Sequence, residues 1–483
     1  MPPSAEDIRT KPTLWRNKDF LLLWGSQGVS VLGTRVSGLA LPLLVLETTH
    51  SAAQAGLITS ARMIPYLIFG LPAGALVDRW NRKTTMIVCD IARCIALGSV
   101  PVAWALGHLS LLQLYIVAFV QGAAFVFFNV AEMACLPNVV EREDLAQATA
   151  LDSAAGSAGS LVGPGLAGVI ISAAKSTVGG AVLAYLVDAV TYLVSVVSLG
   201  FIHVPLQTKR DEETHSLRKQ VVDGLHFLWQ DRRLRTLALT SWALSLLYAP
   251  VPLAMIVLAR DSLHASARTV GLIFSLSAVG GLIGAWAAPK VKRYVRFGYV
   301  IIGTIAIQAF VTPLVGLAVS PVMMIAGWSI AFMLDPIFSM ASTSYRLSVT
   351  PDDLQGRVHS IYRLGGYGAE PIGTAIGGLC LALVGPRTEI LVAAAGVGLC
   401  ALGVSLTQVR ETAWPDLNEI PTHEHAHEQL EHSHSHLHDE HHRHAHEEGA
   451  VLTEPHTHRH VHERVTHSHI HSPGLHHRHG HKP

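Results

Sequence analysis

Gly74-Ala75-Leu76-Val77-Asp78-Arg79-Trp80-Asn81-Arg82-Lys83 is a short knot of charge between two long apolar runs, and its reading decides the fold. Each flanking run is long enough to form a helix of about 20 residues, the length that crosses a hydrocarbon core of about 30 Å. Three cations and an acid in so short a connection mark a loop at a membrane surface, and Lys and Arg in short loops favour the cytoplasmic side. Working outward from this loop, the same alternation of apolar run and polar turn continues along most of the chain. Half of the 483 residues are hydrophobic and 14% are charged, against about a quarter charged in an ordinary soluble domain. The formal net charge of zero argues against a nucleic-acid partner, which would require an excess of cations to neutralise phosphates.

Twelve spans are expected. Six run over Phe20–Leu46, Ala53–Val77, Thr84–Leu106, Leu111–Ala134, Ala146–Ala173 and Gly179–Ile202. Six more run over Leu237–Leu258, Thr269–Ala288, Gly298–Ala318, Val322–Tyr345, Val358–Leu383 and Glu389–Gln408. The chain thus divides into an N-terminal segment (1–19), a six-helix half (20–202), a polar linker (203–236), a second six-helix half (237–408) and a polar tail (409–483). The fold class is an all-α membrane protein in contact with the lipid bilayer. With the N-terminus inside, only Lys175, Arg260, Arg268 and Arg387 fall on the outer side, so both termini are expected in the cytoplasm. The first sixteen residues are polar and the apolar run from Phe20 is long enough to span, so no cleaved signal is expected. Cys89, Cys94, Cys135, Cys380 and Cys400 form no CxxC pair and are expected to be small buried hydrophobes.

The halves read as repeats. At an offset of 209, Glu143-Asp144-Leu145 and the glycines from Gly163 to Gly168 match Asp352-Asp353-Leu354 and those from Gly373 to Gly377. The loop from Gly74 to Lys83 resembles the signature G-x-x-x-D-R-x-x-R-[RK] of the major facilitator superfamily, with Gly74, Asp78, Arg79, Arg82 and Lys83 in register. The resemblance implies a gating latch, in which Asp78 accepts from a facing helix N-terminus and the contact breaks when the transporter changes state. Gly159, Gly163, Pro164, Gly165 and Gly168 resemble the glycine-proline motif of the superfamily's exporters, with Ala167 in place of one glycine. The stretch Ala40–Glu47 and Gly356-Arg357-Val358 extend the similarity to the drug:proton antiporter branch over about Asn17 to Arg410, which implies a bacterial inner-membrane location. Glu132 departs from the pattern, standing where a cation is expected.

Charges at membrane depth are costly and are functional candidates by default. These are Arg35, Asp188, Asp335 and Glu370, with Asn129 as a neutral candidate. In the family the first, fourth, seventh and tenth helices line the central cavity, which favours Arg35, Asn129 and Asp335 as pathway residues. Glu370 is expected to carry the proton, since desolvation favours a neutral carboxyl. Each of these groups equally fits a buried pair that only stabilises packing. Arg62 and the Asp90/Arg93 pair are read as structural.

From His423 to His481 the tail holds 22 of the 29 histidines, in H-x-H runs with few apolar residues. Its candidate ligands are His423, His425, His427, His432, His434, His436, His438, His441, His442, His444, His446, His456, His458, His460, His462, His467, His469 and His471. Neutral imidazole suits Ni²⁺, Zn²⁺ or Co²⁺, and the composition predicts a disordered, multivalent segment. No cofactor is required, and no nucleotide loop, nucleophile elbow or hydrolase site is present in the sequence. A major facilitator exporter with such a tail resembles the bacterial nickel-resistance permeases. That resemblance implies proton-driven export of Ni²⁺, with Co²⁺ as a second metal. Two rivals stand beside it: an exporter of an organic molecule such as a drug, siderophore or metal chelate, with a regulatory tail, and a membrane-tethered metal buffer. The partners are then a small cationic or organic substrate and protons.

Overall fold

The computed structural model describes residues 14–141, 143–207 and 217–414, and four strands at 423–426, 430–436, 456–462 and 466–469. Residues up to 414 and those from 415 form two units, each described by itself. His427, His438, His441, His442, His444, His446 and His471 lie outside the described residues, as do Lys209 and Arg210 of the linker.

The first unit is helical throughout, as a chain in hydrocarbon must be if every backbone N–H is to find a partner within its own segment. The N-terminal half contains α1 (Lys18–Thr49), α2 (Ala52–Phe69), α3 (Pro72–Arg79), α4 (Arg82–Ala105), α5 (Leu111–Val139), α6 (Leu145–Ala173) and α7 (Thr177–Gly200). The C-terminal half follows as α8 (Leu217–Gln230), α9 (Arg232–Tyr248), α10 (Val251–Val257), α11 (Ala267–Tyr294), α12 (Phe297–Gly316), α13 (Pro321–Val349) and α14 (Asp352–Ser405). Small polar side chains start these helices by accepting from orphan N–H groups, for example Asn17 from Phe20, Ser51 from Gln54, Asn81 from Thr84 and Ser266 from Thr269.

Ten described helices are long and apolar enough to cross a membrane, and the bent pair α2/α3 makes an eleventh span. The break between α2 and α3, bent by 65°, falls at Pro72, which has no N–H to continue the hydrogen-bond ladder of α2. α14 is 54 residues long and contains Gly385 at φ 80°, ψ 166°, a corner at which two helices meet. At about 1.5 Å per residue, a straight rod of that length would overrun any bilayer, so α14 supplies two spans and the sequence again folds into twelve. The linker differs from the polar stretch expected over 203–236. It contains α8, and Asp231 caps α9, so the seventh span begins at Arg232 and not at Leu237.

The two halves meet along two seams, α2 against α14 and α6 against α11. The duplication is visible in the packing. Added side-chain carbons at Gly159 and Gly163 would strike Val31 and Arg35 of α1, and those at Gly373 and Gly377 would strike Leu246 and Pro250 at the equivalent place in the second half. Large apolar side chains such as Phe310, Val322 and Leu383 cover the outside, the surface that lipid would wet. Cys89 and Cys135 are buried as expected, whereas Cys94 and Cys400 are half-buried and Cys380 is exposed on this apolar exterior. The correction has a simple cause: a lipid-facing position tolerates a thiol as readily as a core position does.

In the second unit β1 (His423–Ala426) pairs antiparallel with β4 (Thr466–His469), and β2 (Leu430–His436) with β3 (His456–His462). The alternation H-x-H that reads as low complexity is also the two-residue period of a strand.

Candidate functional site

The face bearing the 78–83 loop and α8 is called the loop face, and the opposite end the far face. At the far face the halves are closed on each other. Arg260 donates from Nη2 to Glu47 Oε1 at 2.7 Å, joining the end of α1 to the turn after α10. A Cβ on Gly56 would come within 2.6 Å of Gly378 Cα, and Ser60 Oγ donates to the Pro371 carbonyl at 2.7 Å. In the other seam the Gly165 N–H reaches Ser275 Oγ at 2.7 Å, the Arg268 N–H reaches Ser172 Oγ at 2.9 Å, and a Cβ on Gly168 would lie 2.7 Å from the Ala267 carbonyl. The exporter-like glycines therefore permit two close approaches, to α1 through Gly159 and Gly163 and to α11 through Gly168. Pro164 offers its carbonyl side to Gly271 of α11.

Toward the loop face the second seam opens. Asp152, Ser153 and Ser157 of α6 are exposed, the two serine hydroxyls bond only within their own helix, and a Cβ on Gly156 would meet nothing. Gly280 and Gly284 of α11 pack instead on Ser329 and Met333 of α13, in their own half.

Between the halves lies a cavity of about 580 Å³. Arg35 of α1 projects into it from one half, and Asp335 of α13 and Glu370 of α14 from the other, with Tyr248, Trp328 and Phe338 among its aromatic walls. Three of the five residues expected to form the pathway thus share one space. Asn129 is placed elsewhere, in a second cavity of about 250 Å³ at the loop face with Tyr66, Gly74, His359 and Arg363. Asp188 lies outside both, fully buried between α7 and α1. Thr191 Oγ1 donates to its Oδ1 at 3.2 Å and its Oδ2 has no partner. Gly33 provides the room, since a Cβ there would come within 2.5 Å of Asp188 Oδ1. Asp90 and Arg93 form a buried pair at 3.2 Å, with Arg93 over the rings of Phe128 and Tyr192 at 4.9 and 5.1 Å.

The latch residues are not engaged across the halves. Asp78 pairs with Arg82 at 3.5 Å with two-thirds of its side chain exposed, and a Cβ on Gly74 would meet nothing. Arg82 donates to the Ala134 carbonyl at 2.8 Å, and Lys83 to those of Gly200 and Ile202 at 3.0 and 2.7 Å. These are carbonyls at helix C-terminal ends, where cations are favoured. Arg79 is exposed beside them. The loop end of α3 faces α14 across the second cavity, which Gly74 lines with His359, Ser360 and Arg363.

Sequence reasoning missed Glu47, Arg260, Arg346 and Glu389. The last two are buried although they stand near predicted span ends. The first two gave a signal, two opposite charges at equivalent ends of the first and seventh spans.

A two-half helical body with a central cavity, closed at one face and open toward the other, defines a secondary transporter. The Major Facilitator Superfamily model matches residues 23–374, and the chain belongs to that family. It is 26% identical over 384 residues to the multidrug efflux pump Tap of Mycolicibacterium fortuitum, covering 77% of this chain and 89% of that protein. It is also 26% identical over 387 residues to the enterobactin exporter EntS of Escherichia coli O1:K1 / APEC, covering 79% and 89%. Among solved structures it resembles the nucleoside transporter NupG, with a TM-score of 0.65 at 15% identity over 80% of this chain and 98% of that one. A bacterial homologue of the iron transporter ferroportin in an inward-facing state gives 0.65 at 16% identity, over 82% and 100%. Both structural likenesses are of fold.

Proposed function

We propose that this transporter exports an amphipathic organic molecule through the cavity between Arg35, Asp335 and Glu370, with protons moving in the opposite direction. The observation that carries the reading is the cavity itself: aromatic walls, two carboxyls and one guanidinium in a volume suited to a small organic molecule. The relatives whose names state a cargo point the same way, to drugs and a siderophore. The loop face is then cytoplasmic, and the cargo enters from the open second seam. Asp335 and Glu370 exchange protons with the cycle, because neutral carboxyls are the cheaper form in a desolvated site and cargo displaces the proton. Asp78 latches the loop face when the far face opens, and Asp188 stands next in line as a proton carrier.

Export of Ni²⁺ or Co²⁺ as the primary cargo has less behind it. Among the described residues no three His, Cys, Asp or Glu side chains converge on a metal-sized site. A metal role for the tail rests on a separate observation. The strand register sets His423 opposite His469, His425 opposite His467, His432 opposite His460, His434 opposite His458 and His436 opposite His456. Residues directly opposite in an antiparallel pair are neighbours by register, and imidazole is a ligand type that suits Ni²⁺, Zn²⁺ or Co²⁺. The tail then senses or gathers metal beside an organic-cargo pump.

Inverted membrane vesicles energised by a pH gradient test the cargo. Proton-driven uptake of organic cations or macrolides by the full chain, without ⁶³Ni²⁺ uptake, is the expected result. Nickel uptake with no organic transport would overturn it.

A further inference from the structure

Two guanidinium groups are buried to within 4% exposure among the described residues, Arg93 and Arg346, and their surroundings differ. Arg93 has the Asp90 carboxylate at 3.2 Å. Among the described residues Arg346 has no carboxylate within ion-pair distance. Its Nη2 makes long bonds of 3.3 Å to Thr343 Oγ1 and His359 Nδ1, its plane lies 4.1 Å from the centre of the Tyr362 ring, and its Nε and Nη1 have no partner. The last turn of α13 offers the partial negative charge of a helix C-terminus, which offsets a fraction of the charge and occupies neither free nitrogen. A buried cation left without its anion costs several kcal/mol in order of magnitude, so such a group is retained for something that arrives.

Its position says what arrives. Thr343 and Tyr362, which touch Arg346, both line the main cavity, and so does Asp335. Asp335 and Arg346 are eleven residues apart on α13, close to three full turns, so they share a helix face about 16 Å apart. Asp335 therefore stands in the cavity wall, and Arg346 lies on the same strip behind the lining residues Thr343 and Tyr362, nearer the open loop face. We propose that Arg346 binds an anionic group of the cargo, a carboxylate, phenolate or sulfonate on an aromatic or amphipathic body, with Tyr362 as the platform beside it. The inference rests on the organic-cargo reading and narrows it: the pump accepts acidic organic molecules as well as cationic ones, held at opposite ends of one strip of α13.

The test is equilibrium binding to the purified full chain in phosphatidylcholine nanodiscs, which lack anionic lipid, with salicylate as the acidic probe and tetraphenylphosphonium as the cationic one. Arg346→Gln should weaken salicylate tenfold or more and leave tetraphenylphosphonium within twofold, as expected for loss of a charged hydrogen bond. Arg346→Lys, which keeps the charge, should recover most of the salicylate binding, and Asp335→Asn should show the opposite selectivity. Equal loss of both probes in Arg346→Gln and Arg346→Lys would make Arg346 a packing residue and end the proposal. Recovery of transport in Arg346→Glu by Glu132→Arg would also end it, since the anion would then be Glu132, on α5 between the second cavity's Asn129 and Met133. A wild-type protein that binds salicylate in neither form but binds tetraphenylphosphonium overturns this inference alone, and one that binds neither probe overturns the cargo reading beneath it.

Discussion

In the proposed cycle, coupling turns on Asp335 and Glu370. They reach one cavity from neighbouring helices of the second half, and neither has a cation within salt-bridge distance among the described residues. Asp335→Asn or Glu370→Gln should therefore lower proton-driven accumulation in vesicles tenfold or more while cargo counterflow at equal pH persists. Normal pH-driven accumulation in both variants would move coupling to Asp188. Asp78 behaves differently. Its pair with Arg82 is largely exposed and contributes under about 1 kcal/mol, so Asp78→Asn should leave thermal stability in this conformation unchanged. Transport should nevertheless fall several-fold, because the partner of Asp78 is met only when the loop face closes; full transport at normal expression would remove the latch. At this scale the sequence was a partial guide. Arg35, Asp335 and Glu370 were legible because a charge inside an apolar run is conspicuous. That Asn129 and Asp188 stand outside the main cavity was not legible, because the rotation of a helix about its axis is set by packing against neighbours, and a helix apolar on all sides carries no stripe to reveal it.

Among elements, α6 is the one whose chemistry is easiest to test. Its glycines let α1 and α11 come within backbone distance, and the far face closes through Gly168 against Ala267 and Arg268. Gly168→Leu should hold that seam apart and shift the population toward a far-face-open form, read as faster labelling of a cysteine placed at Ser172 by an impermeant maleimide. Unchanged labelling with a normally folded protein would show that the seam closes without this contact. The ion pair Glu47–Arg260 adds little by comparison, since both side chains are about a quarter exposed and solvent screens them. The glycine-proline pattern was visible in the chain because spacing by four reports a helix face. The linker helix α8 was not, because Arg218, Lys219 and the charges around them read as loop, whereas Gly224 packs on the Arg357 backbone and Asp223 pairs with Arg357 at 3.1 Å.

For the whole molecule, twelve spans and a twofold plan follow from hydropathy and charge, since a bilayer permits little but helices of one length. The corner at Gly385 falls between the expected spans Val358–Leu383 and Glu389–Gln408, a single residue of positive φ joining the two. The tail is the part whose role is least tied to the body. Its imidazoles have an unperturbed pKa of about 6.5, so protons displace metal below that value. The full chain should bind several Ni²⁺ ions per molecule at neutral pH by equilibrium dialysis and release them near about pH 5, and a chain ending at Trp414 should bind far fewer. Truncation belongs after Trp414 and not earlier, because its indole N–H holds the Val295 carbonyl at 2.6 Å and the Thr412 carbonyl accepts from Gly298. Organic transport by the shortened protein should persist, and its complete loss at normal membrane levels would make the tail part of the mechanism.

Trp328 stands in the cavity wall, 5% exposed, with the rings of Tyr248 and Phe332 at 6.2 and 5.7 Å. An indole so placed emits from the very space the cargo occupies. The difference in emission between the native chain and Trp328→Phe isolates that one fluorophore from the other eight. Quenching or energy transfer by an aromatic cargo then follows occupancy in real time, so the protein carries its own optical gauge of the site and needs no attached dye.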